Sequence, residues 1–419
     1  MDLTEKGWLP KYLEYREKTG HLYNPEKMDT GRYIYRLLQP TGLIFGHPLR
    51  LPDFVDLSLD EWPVKEKIKL IFTEGLLSVY KVSETKTHKT FPDFVTGFYA
   101  AVNPGLIKSS VPFPAPTTER LAEKAINKRI KVKAKWNINF WQGFFQNVLL
   151  FSDIIAAIDF AKNPKTEKPK RYIHRIRFDA LKIIAATTFA DGNLGREEVK
   201  LFKFFVESAS LNKKRKEEAL KLIDKNIEIK DITLSQDYEW MVRKYFLDLA
   251  ILMVWADKNI SKKEEEFIKD IAIKLGLNDD DLTGSLAGVE SFVMKNWEKV
   301  HYLQQKQNYL IVSKRLTSRL TKTAEKYKNE IKKEIEESKE LIALLNKSKH
   351  TPLTTEEKEI VRKQLVDILK IIPTFVFLTL PGSFFALPIL LKILPKSVFP
   401  SSFDRNKLLR GNKKNIISG

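Results

Sequence analysis

The feature that most constrains this sequence is an apolar stretch near its C-terminal end that carries no charge. From Ile371 to Leu391 there are 21 uncharged residues, close to the roughly 20 that a helix needs to cross a bilayer and too few for two helical spans. Pro373, Pro381, Pro388 and Pro395 interrupt this region. Each proline removes a backbone donor and frees a carbonyl group, and in lipid those groups need partners within the protein. The stretch therefore predicts a broken, proline-kinked membrane helix, with a buried segment of a large helical domain as the alternative.

A helix is expected to lead into this stretch. Thr354 or Thr355 can cap its start, and glutamates follow in the first turn, where negative charge is favourable.

Basic residues flank the stretch on both sides and bear on its topology. The tail from Lys392 to Gly419 holds seven Lys or Arg and one Asp. A short basic tail normally stays on the cytoplasmic side, and the N-terminal body, which starts without an apolar secretory signal, is expected there too. A single span would separate the two, so a re-entrant, kinked or oligomeric insertion is favoured. The tail side chains expected to contact an anionic surface are Lys392, Lys396, Arg405, Lys407 and Arg410.

Composition narrows the function classes. The chain has 72 Lys and Arg against 53 Asp and Glu, a net charge of +19, which suits anionic partners such as lipid headgroups, RNA or acidic protein. Solvated Lys-rich helix faces are the alternative. The absence of cysteine excludes disulfides, thiolate zinc sites and iron–sulfur clusters. Nucleotide-binding, zinc-protease and hydrolase motifs are also absent, so we expect neither an enzyme nor a DNA-specific protein.

The first 118 residues predict a helical region that ends in a linker. Pro63 and Pro92 each stand near the start of an apolar pattern with helical spacing. The segment 103–118 contains four prolines and is typical of a linker. Beyond it, the aromatic and apolar run 136–160 follows a basic segment. This run indicates either a core helix or a helix lying on anionic lipid.

An internal repeat with an offset of 66 residues lies between residues 171 and 288. Each copy predicts an apolar helix, a tight polar turn and a second helix. Asp191 and Glu198 in the first copy correspond to Asp257 and Glu264 in the second. The glutamates stand where a side chain caps a helix start, and the aspartates can accept backbone N–H groups in the turn. Capping is the favoured interpretation; a divalent cation bound by these carboxylates is the alternative.

This pattern, Ala-Asp-x-x-[Leu/Ile]-x-x-x-Glu after an apolar helix, resembles the TerB-like family named for tellurite resistance. The resemblance implies an all-helical domain linked to membrane-stress systems. It also implies metal binding at acidic positions, which here would be Asp191, Glu198, Asp257 and Glu264.

The segment 290–349 predicts a long basic helix or coiled coil. It has no Pro or Gly, and its apolar residues recur mostly at spacings of three, four or seven, as in a narrow helical stripe. One continuous helix would reach roughly 90 Å at 1.5 Å per residue. A hairpin of two shorter helices is the alternative. Between Glu298 and Lys349 there are 13 Lys or Arg and 7 Glu, so this segment can also touch anionic surfaces.

The C-terminal stretch resembles the membrane segment of the LETM family, the leucine-zipper/EF-hand transmembrane proteins of the mitochondrial inner membrane and their bacterial relatives. The shared features are a "LLN…LT" entry, the four prolines named above, and a closing Pro-Ser-x-Phe at Pro400 to Phe403. The resemblance implies membrane residence, a part in cation/proton exchange, and ribosome association through a domain after the membrane segment. The residues assigned to the segment are Pro373, Phe375, Phe377, Pro381, Phe384, Phe385, Pro388 and Pro395.

Two departures from the family pattern shift the expected function. Phe384 stands where the family usually has Glu, and an intramembrane carboxylate is the natural carrier of a proton or cation. Only 16 residues follow Phe403, so the family's ribosome-binding domain is expected to be essentially missing. Both departures favour an anchor over an exchanger.

Taken together, the sequence predicts an all-α protein in four parts. These are a helical N-terminal region (1–118), a TerB-like helical domain with a basic and aromatic lead-in (119–289), the long basic helix (290–349), and the LETM-like membrane segment with its tail (350–419). A TerB-like repeat before a LETM-like end resembles bacterial LETM-related proteins described as biofilm-associated. We therefore expect a non-enzymatic protein, and the resemblance implies that it anchors or regulates envelope or biofilm physiology at a bacterial inner membrane, with its N-terminal part cytoplasmic. The alternatives are a component of cation/proton exchange and a ribosome-binding tether. The expected partners are membrane lipid, a ribosome or an unidentified protein, and a second copy of the chain.

Overall fold

The computed structural model describes residues 5–19, 28–59, 61–83, 88–108, 115–130, 147–162, 169–189, 196–225, 227–256, 262–296, 309–369, 372 and 389. Within these ranges the chain forms α-helices, short 3-10 turns and connecting segments, and no strand. The predicted all-α class is therefore confirmed for the described part of the chain.

The chain divides into two compact units, residues 1–278 and 279–419. The first unit contains the helices α1 (Trp8–Lys18), α2 (Thr30–Leu38), α3 (Val64–Val82), α4 (Phe91–Val102), α5 (Thr118–Arg129), α6 (Phe151–Lys162), α7 (Pro169–Thr188), α8 (Arg196–Ser208), α9 (Lys213–Leu220), α10 (Trp240–Ala256) and α11 (Lys262–Lys274).

Helix starts in the first unit follow the local sequence signals. Pro63 is the residue just before α3, as predicted. Thr90 and Asp93 form a reciprocal capping box at the start of α4, with Pro92 in the first turn. Such a box satisfies two backbone donors that the helix itself leaves unpaired.

The two copies of the internal repeat pack on each other through their first helices. α7 lies against α10, and each also packs on the second helix of its own copy, α8 or α11. The predicted pair of helices is thus observed in both copies. The turns, 190–195 and 257–261, lie outside the described residues.

The proline-containing segment 103–118 does not separate two domains. The helices on either side of it, α4 and α5, pack against each other within the first unit. Pro104 opens a short 3-10 turn, Pro104–Leu106, so this part of the segment ends one helix and lets the chain return. The linker prediction was wrong because a cluster of prolines equally well marks a turn between packed helices.

The apolar run before residue 160 belongs to the core. The described part of this run forms α6, and Phe151, Ile154 and Phe160 are buried. The core-helix interpretation is confirmed for this part. Residues 136–146 lie outside the described residues.

The second unit contains α12 (Asp279–Lys295), α13 (Tyr309–Lys326), α14 (Lys328–Glu337), α15 (Lys339–His350) and α16 (Thr355–Leu369). The helix breaks at Tyr327 and again at Ser338, whose hydroxyl accepts a hydrogen bond from the Leu341 backbone N–H at 3.4 Å. A continuous helix over 290–349 was therefore a wrong prediction. α13 packs against α12, because folding back buries an apolar stripe that a lone helix would leave in water.

Candidate functional site

The helix that leads into the uncharged stretch, α16, begins at a defined capping box. The Glu357 backbone N–H donates to the Thr354 hydroxyl at 3.2 Å, and the Glu357 carboxylate accepts from the Thr354 backbone N–H at 3.0 Å. These hydrogen bonds fix the first residue of the helix. Of the two threonines that the sequence offered as caps, the structure selects Thr354.

One face of α16 is buried and continues to the edge of the uncharged stretch. Val361, Leu365, Ile368 and Leu369 form this face, and Ile372 just beyond the helix is fully buried as well. α16 packs on both α14 and α15. Each such side chain contributes roughly 1.5–3 kcal/mol when fully buried, so the start of the uncharged stretch is held on a folded cluster of helices.

Polar contacts hold α16 in register with its neighbours. The Ser338 hydroxyl donates to the Gln364 side-chain oxygen at 3.0 Å, and the Gln364 amide donates to Glu340. Lys347 forms an ion pair with Glu357 at 2.6 Å. The hydrogen bond from Lys347 lowers the pKa of the Glu357 carboxyl, and the backbone N–H of Thr354 adds to this effect. Ser338 thus both starts α15 and contacts α16.

The residues predicted to enter the membrane lie almost entirely outside the described part of the chain. This holds for Pro373, Phe375, Phe377, Pro381, Phe384, Phe385, Pro388 and Pro395, and for the tail residues Lys392, Lys396, Arg405, Lys407 and Arg410. Within the predicted segment only Ile372 and Ile389 are described, and both are buried. Among the described residues, no helix is both long and apolar enough to cross a membrane.

The predicted metal ligands are only partly described. Glu198 is the third residue of α8 and Glu264 the third residue of α11, and both are buried. Their equivalent places agree with the repeat and with a capping role, because a carboxylate in the first turn interacts favourably with the helix N-terminus. Asp191 and Asp257 lie outside the described residues. The described His, Asp and Glu side chains form no group of three or more that could hold a metal ion.

A buried charge cluster in the first unit was missed by sequence reasoning. Asp153 on α6 is completely buried and accepts hydrogen bonds from Arg129 Nε at 2.7 Å, from Tyr99 Oη at 3.2 Å and from Arg177 Nη2. Arg177 Nε also donates to the Ser152 hydroxyl at 2.9 Å. The cluster joins α4, α5, α6 and α7. The available signal was an aspartate within an otherwise apolar run, which in a core requires a buried partner.

Electrostatics within this cluster keep Asp153 ionised. Burial by itself would raise the pKa of the Asp153 carboxyl, but the charges of Arg129 and Arg177 outweigh it and hold the pKa below its ordinary value. Burial raises the pKa of the Tyr99 phenol well above its ordinary value, and Asp153 adds to the rise. Tyr99 therefore stays neutral, and its hydroxyl donates a hydrogen bond to the Asp153 carboxylate. The charges of the cluster pair with one another and link four helices of the first unit, so we interpret its role as structural.

A pocket in the first unit is lined by Asp159 of α6, Tyr172 of α7, Glu239 just before α10, and the first residues of α10. Lys162 pairs with Glu239 at 2.8 Å. Burial raises the pKa of the Asp159 carboxyl, and the nearby charge of Glu239 raises it further. The same helix α6 thus carries one strongly paired aspartate and one in an unfavourable electrostatic environment.

Comparison with known proteins links one part of the chain to a family. Residues 353–416 match the model of a protein family described as "LETM1-like, RBD". No curated protein and no solved structure matches the chain significantly, so the TerB-like resemblance stays a prediction. The match begins at the start of α16 and covers the uncharged stretch and most of the basic tail. The expectation that the family's ribosome-binding domain is missing does not fit this match. The C-terminal part of the chain, from the start of α16 to the basic tail, is therefore LETM1-like.

Proposed function

We propose that this protein is a non-enzymatic, LETM-related membrane protein. Its C-terminal part attaches it to a bacterial inner membrane, and its first unit docks a protein partner or senses an ion in envelope or biofilm physiology. The LETM1-like match over 353–416 carries the proposal. The 21-residue uncharged stretch within that match supplies the physical means, because it is long enough to enter the hydrocarbon core.

The second unit supports this proposal because α16 is a well-fixed helix that leads directly into the uncharged stretch. The capping box at Thr354 and the buried face of α16 fix where the stretch begins. A rigid support reduces the conformational entropy lost when the segment enters a membrane. In this proposal α14, α15 and α16 form a folded support for the segment that inserts into the membrane.

Membrane fractionation tests the anchor. The wild-type chain is expected to stay with the membrane after washing with alkaline carbonate and with high salt. The double variant Phe384→Asp/Phe385→Asp is expected to move to the soluble fraction, since each acidic side chain at the bilayer centre costs about 3 kcal/mol.

The matched control is Ile360→Asp, the same kind of change on an exposed position of α16. It should leave fractionation unchanged. Release of the wild-type chain by carbonate would refute the anchor, and so would a double variant that stays in the membrane.

Ribosome tethering is a second candidate, favoured by the family description itself, in which RBD stands for ribosome-binding domain. The basic tail within the match offers Arg405, Lys407 and Arg410 for phosphate contacts. Co-sedimentation with ribosomes should weaken steeply as salt rises. The triple change of these residues to Gln should abolish it, whereas the exposed pair Lys332→Gln/Lys333→Gln on α14 should have little effect. Binding that ignores both salt and the tail variant would exclude this candidate.

A further inference from the structure

A basic surface lies on the first unit, within the part of the chain that resembles a TerB-like domain but away in sequence from the four acidic positions predicted there. Lys170 and Arg171 stand in the first turn of α7, and Lys213, Lys214 and Arg215 stand in the first turn of α9. The two helices pack against each other. We call these five side chains the α7/α9 basic patch.

The cations of this patch have no acidic ion-pair partner among the residues that the structure describes. None of the five forms an ion pair within the described part of the chain, although Lys216 next to them pairs with Glu207 at 2.5 Å. The first turns of α7 and α9 contain no acidic residue. Cations at a helix N-terminus are unfavourable because the helix dipole is positive there. The patch therefore lowers the stability of the free protein, and a bound anion would remove this cost.

The half-buried His174 lies close enough to this surface for the charges of Lys170 and Arg215 to affect its pKa. It lies one helical turn after Lys170, on the same face of α7. Its Nδ1 atom is buried without a hydrogen-bond partner. Burial lowers the pKa of His174 to about 4, and the charges of Arg177, Arg215 and Lys170 all act in the same direction. Arg215 on α9 and Lys170 on α7 thus act together on one point of the surface.

We propose that the α7/α9 basic patch binds the anionic headgroups of a phospholipid membrane, so that the first unit lies against the same bilayer that the C-terminal part enters. This inference rests on the proposed membrane anchor, which holds the first unit at a high effective concentration of headgroups. The exposed large apolar side chains of the described chain are Val64, Ile273, Ile311 and Ile360. None belongs to the patch, so the contact is electrostatic and remains at the membrane surface.

Lipid is favoured over single-stranded RNA because no exposed aromatic ring is found at the patch among the described residues. Proteins that bind single strands stack bases on aromatic side chains. The aromatic residue nearest in sequence, Tyr172, is half-buried, and the Arg175 guanidinium lies 5.6 Å from its ring centre. A surface of unpaired cations without stacking rings fits a layer of phosphate headgroups.

Vesicle binding by the full-length chain tests the proposal. The probes are vesicles of phosphatidylcholine alone and vesicles with added phosphatidylglycerol, and the measurement is the lipid concentration for half-maximal binding. For the triple variant Lys170→Gln/Arg171→Gln/Arg215→Gln, this concentration should rise about tenfold or more on the anionic vesicles, since each basic side chain near such a surface contributes roughly a fivefold factor. Binding to pure phosphatidylcholine should not change.

The matched control is Lys65→Gln/Lys81→Gln/Lys89→Gln, which removes the same charge from exposed positions elsewhere on the first unit. Its binding to anionic vesicles should change less than about threefold. Amide hydrogen exchange of residues 169–176 should slow when the wild-type chain binds anionic vesicles.

Three outcomes would overturn the inference. They are equal losses in the two triple variants, no slowing of exchange at 169–176, or a patch variant that loses affinity for an RNA duplex while its vesicle binding is intact. Failure of the anchor itself appears separately, as absence of carbonate-resistant membrane attachment in the wild-type chain.

Discussion

Asp153 and Asp159 lie on the same helix, α6, and the same substitution should destabilise the protein strongly at Asp153 but not at Asp159. Asp153 is fully buried between Arg129 and Arg177. Asp153→Asn removes the negative charge and leaves two buried guanidinium groups without a counter-ion. Removing one partner of a buried ion pair typically costs about 3–5 kcal/mol. We expect a loss of that size in the free energy of unfolding of the first unit.

Asp159→Asn is the matched control. Burial and Glu239 already raise the pKa of Asp159, so ionisation of this carboxyl costs free energy in the folded state. Replacement by a neutral amide of the same shape should be neutral or slightly stabilising. The two aspartates share a helix and the same substitution, so helix propensity cannot account for a difference between them.

Denaturant unfolding followed by tryptophan fluorescence measures both effects. Trp8, Trp62, Trp136, Trp141, Trp240 and Trp255 lie in the first unit, and only Trp297 lies in the second. The midpoint should fall for Asp153→Asn with an unchanged slope, because stability changes while the buried surface does not. A loss below about 1 kcal/mol would refute the argument from unpaired buried charge. An equal loss at Asp159 would show that α6 tolerates no substitution.

Three further predictions concern caps and protonation. Thr354→Ala should destabilise α16 by about 1 kcal/mol, measured as faster amide exchange over 355–369, whereas Thr355→Ala should have almost no effect. Glu123→Gln should loosen α1, because the Glu123 carboxylate accepts from the backbone N–H groups of Gly7 and Leu9 at 3.1 and 2.9 Å; exchange over 8–18 should rise. His174→Gln should reduce the stability lost between pH 7 and pH 5.

The sign of the His174 effect follows from its lowered pKa of about 4. Between this value and the ordinary pKa of about 6.5, the unfolded chain binds the proton and the folded chain does not. Stability therefore falls as the pH falls through this window. The shift would give about 2 kcal/mol at pH 5, which we halve to about 1 kcal/mol because the ring is half-exposed to solvent. If the stability of the wild-type chain and of His174→Gln depended equally on pH, the burial of this imidazole would be contradicted. If amide exchange over 355–369 were equal in Thr354→Ala and Thr355→Ala, the capping box would be contradicted.

Local signals in the sequence located many of the helix boundaries. Pro63, Pro92 and Thr354 all lie at or next to observed helix starts, as predicted. These signals are readable because a cap satisfies backbone N–H groups within a few residues of itself. The internal repeat was equally readable, and its two copies each form the expected pair of helices.

Features that depend on contacts between residues far apart in the sequence could not be predicted from it. The segment 290–349 has the composition of one long helix, yet it breaks at Tyr327 and Ser338. After these breaks α14, α15 and α16 pack on one another, and this packing buries apolar residues such as Leu341 and Leu345. The proline cluster after residue 103 was taken for a linker, although the helices around it pack together. In both cases local pattern fixes the helical state, and burial decides where the helix must end.

The same distinction applies to the candidate sites. Composition and the uncharged stretch were enough to direct attention to the LETM1-like C-terminal part, because length and lack of charge are properties of the chain itself. The partners of Asp153, and the meeting of two basic first turns at His174, required the tertiary structure. Charges separated along the chain are brought together only when helices pack, and their pKa values and pairing depend on distance and burial, which the linear sequence does not contain.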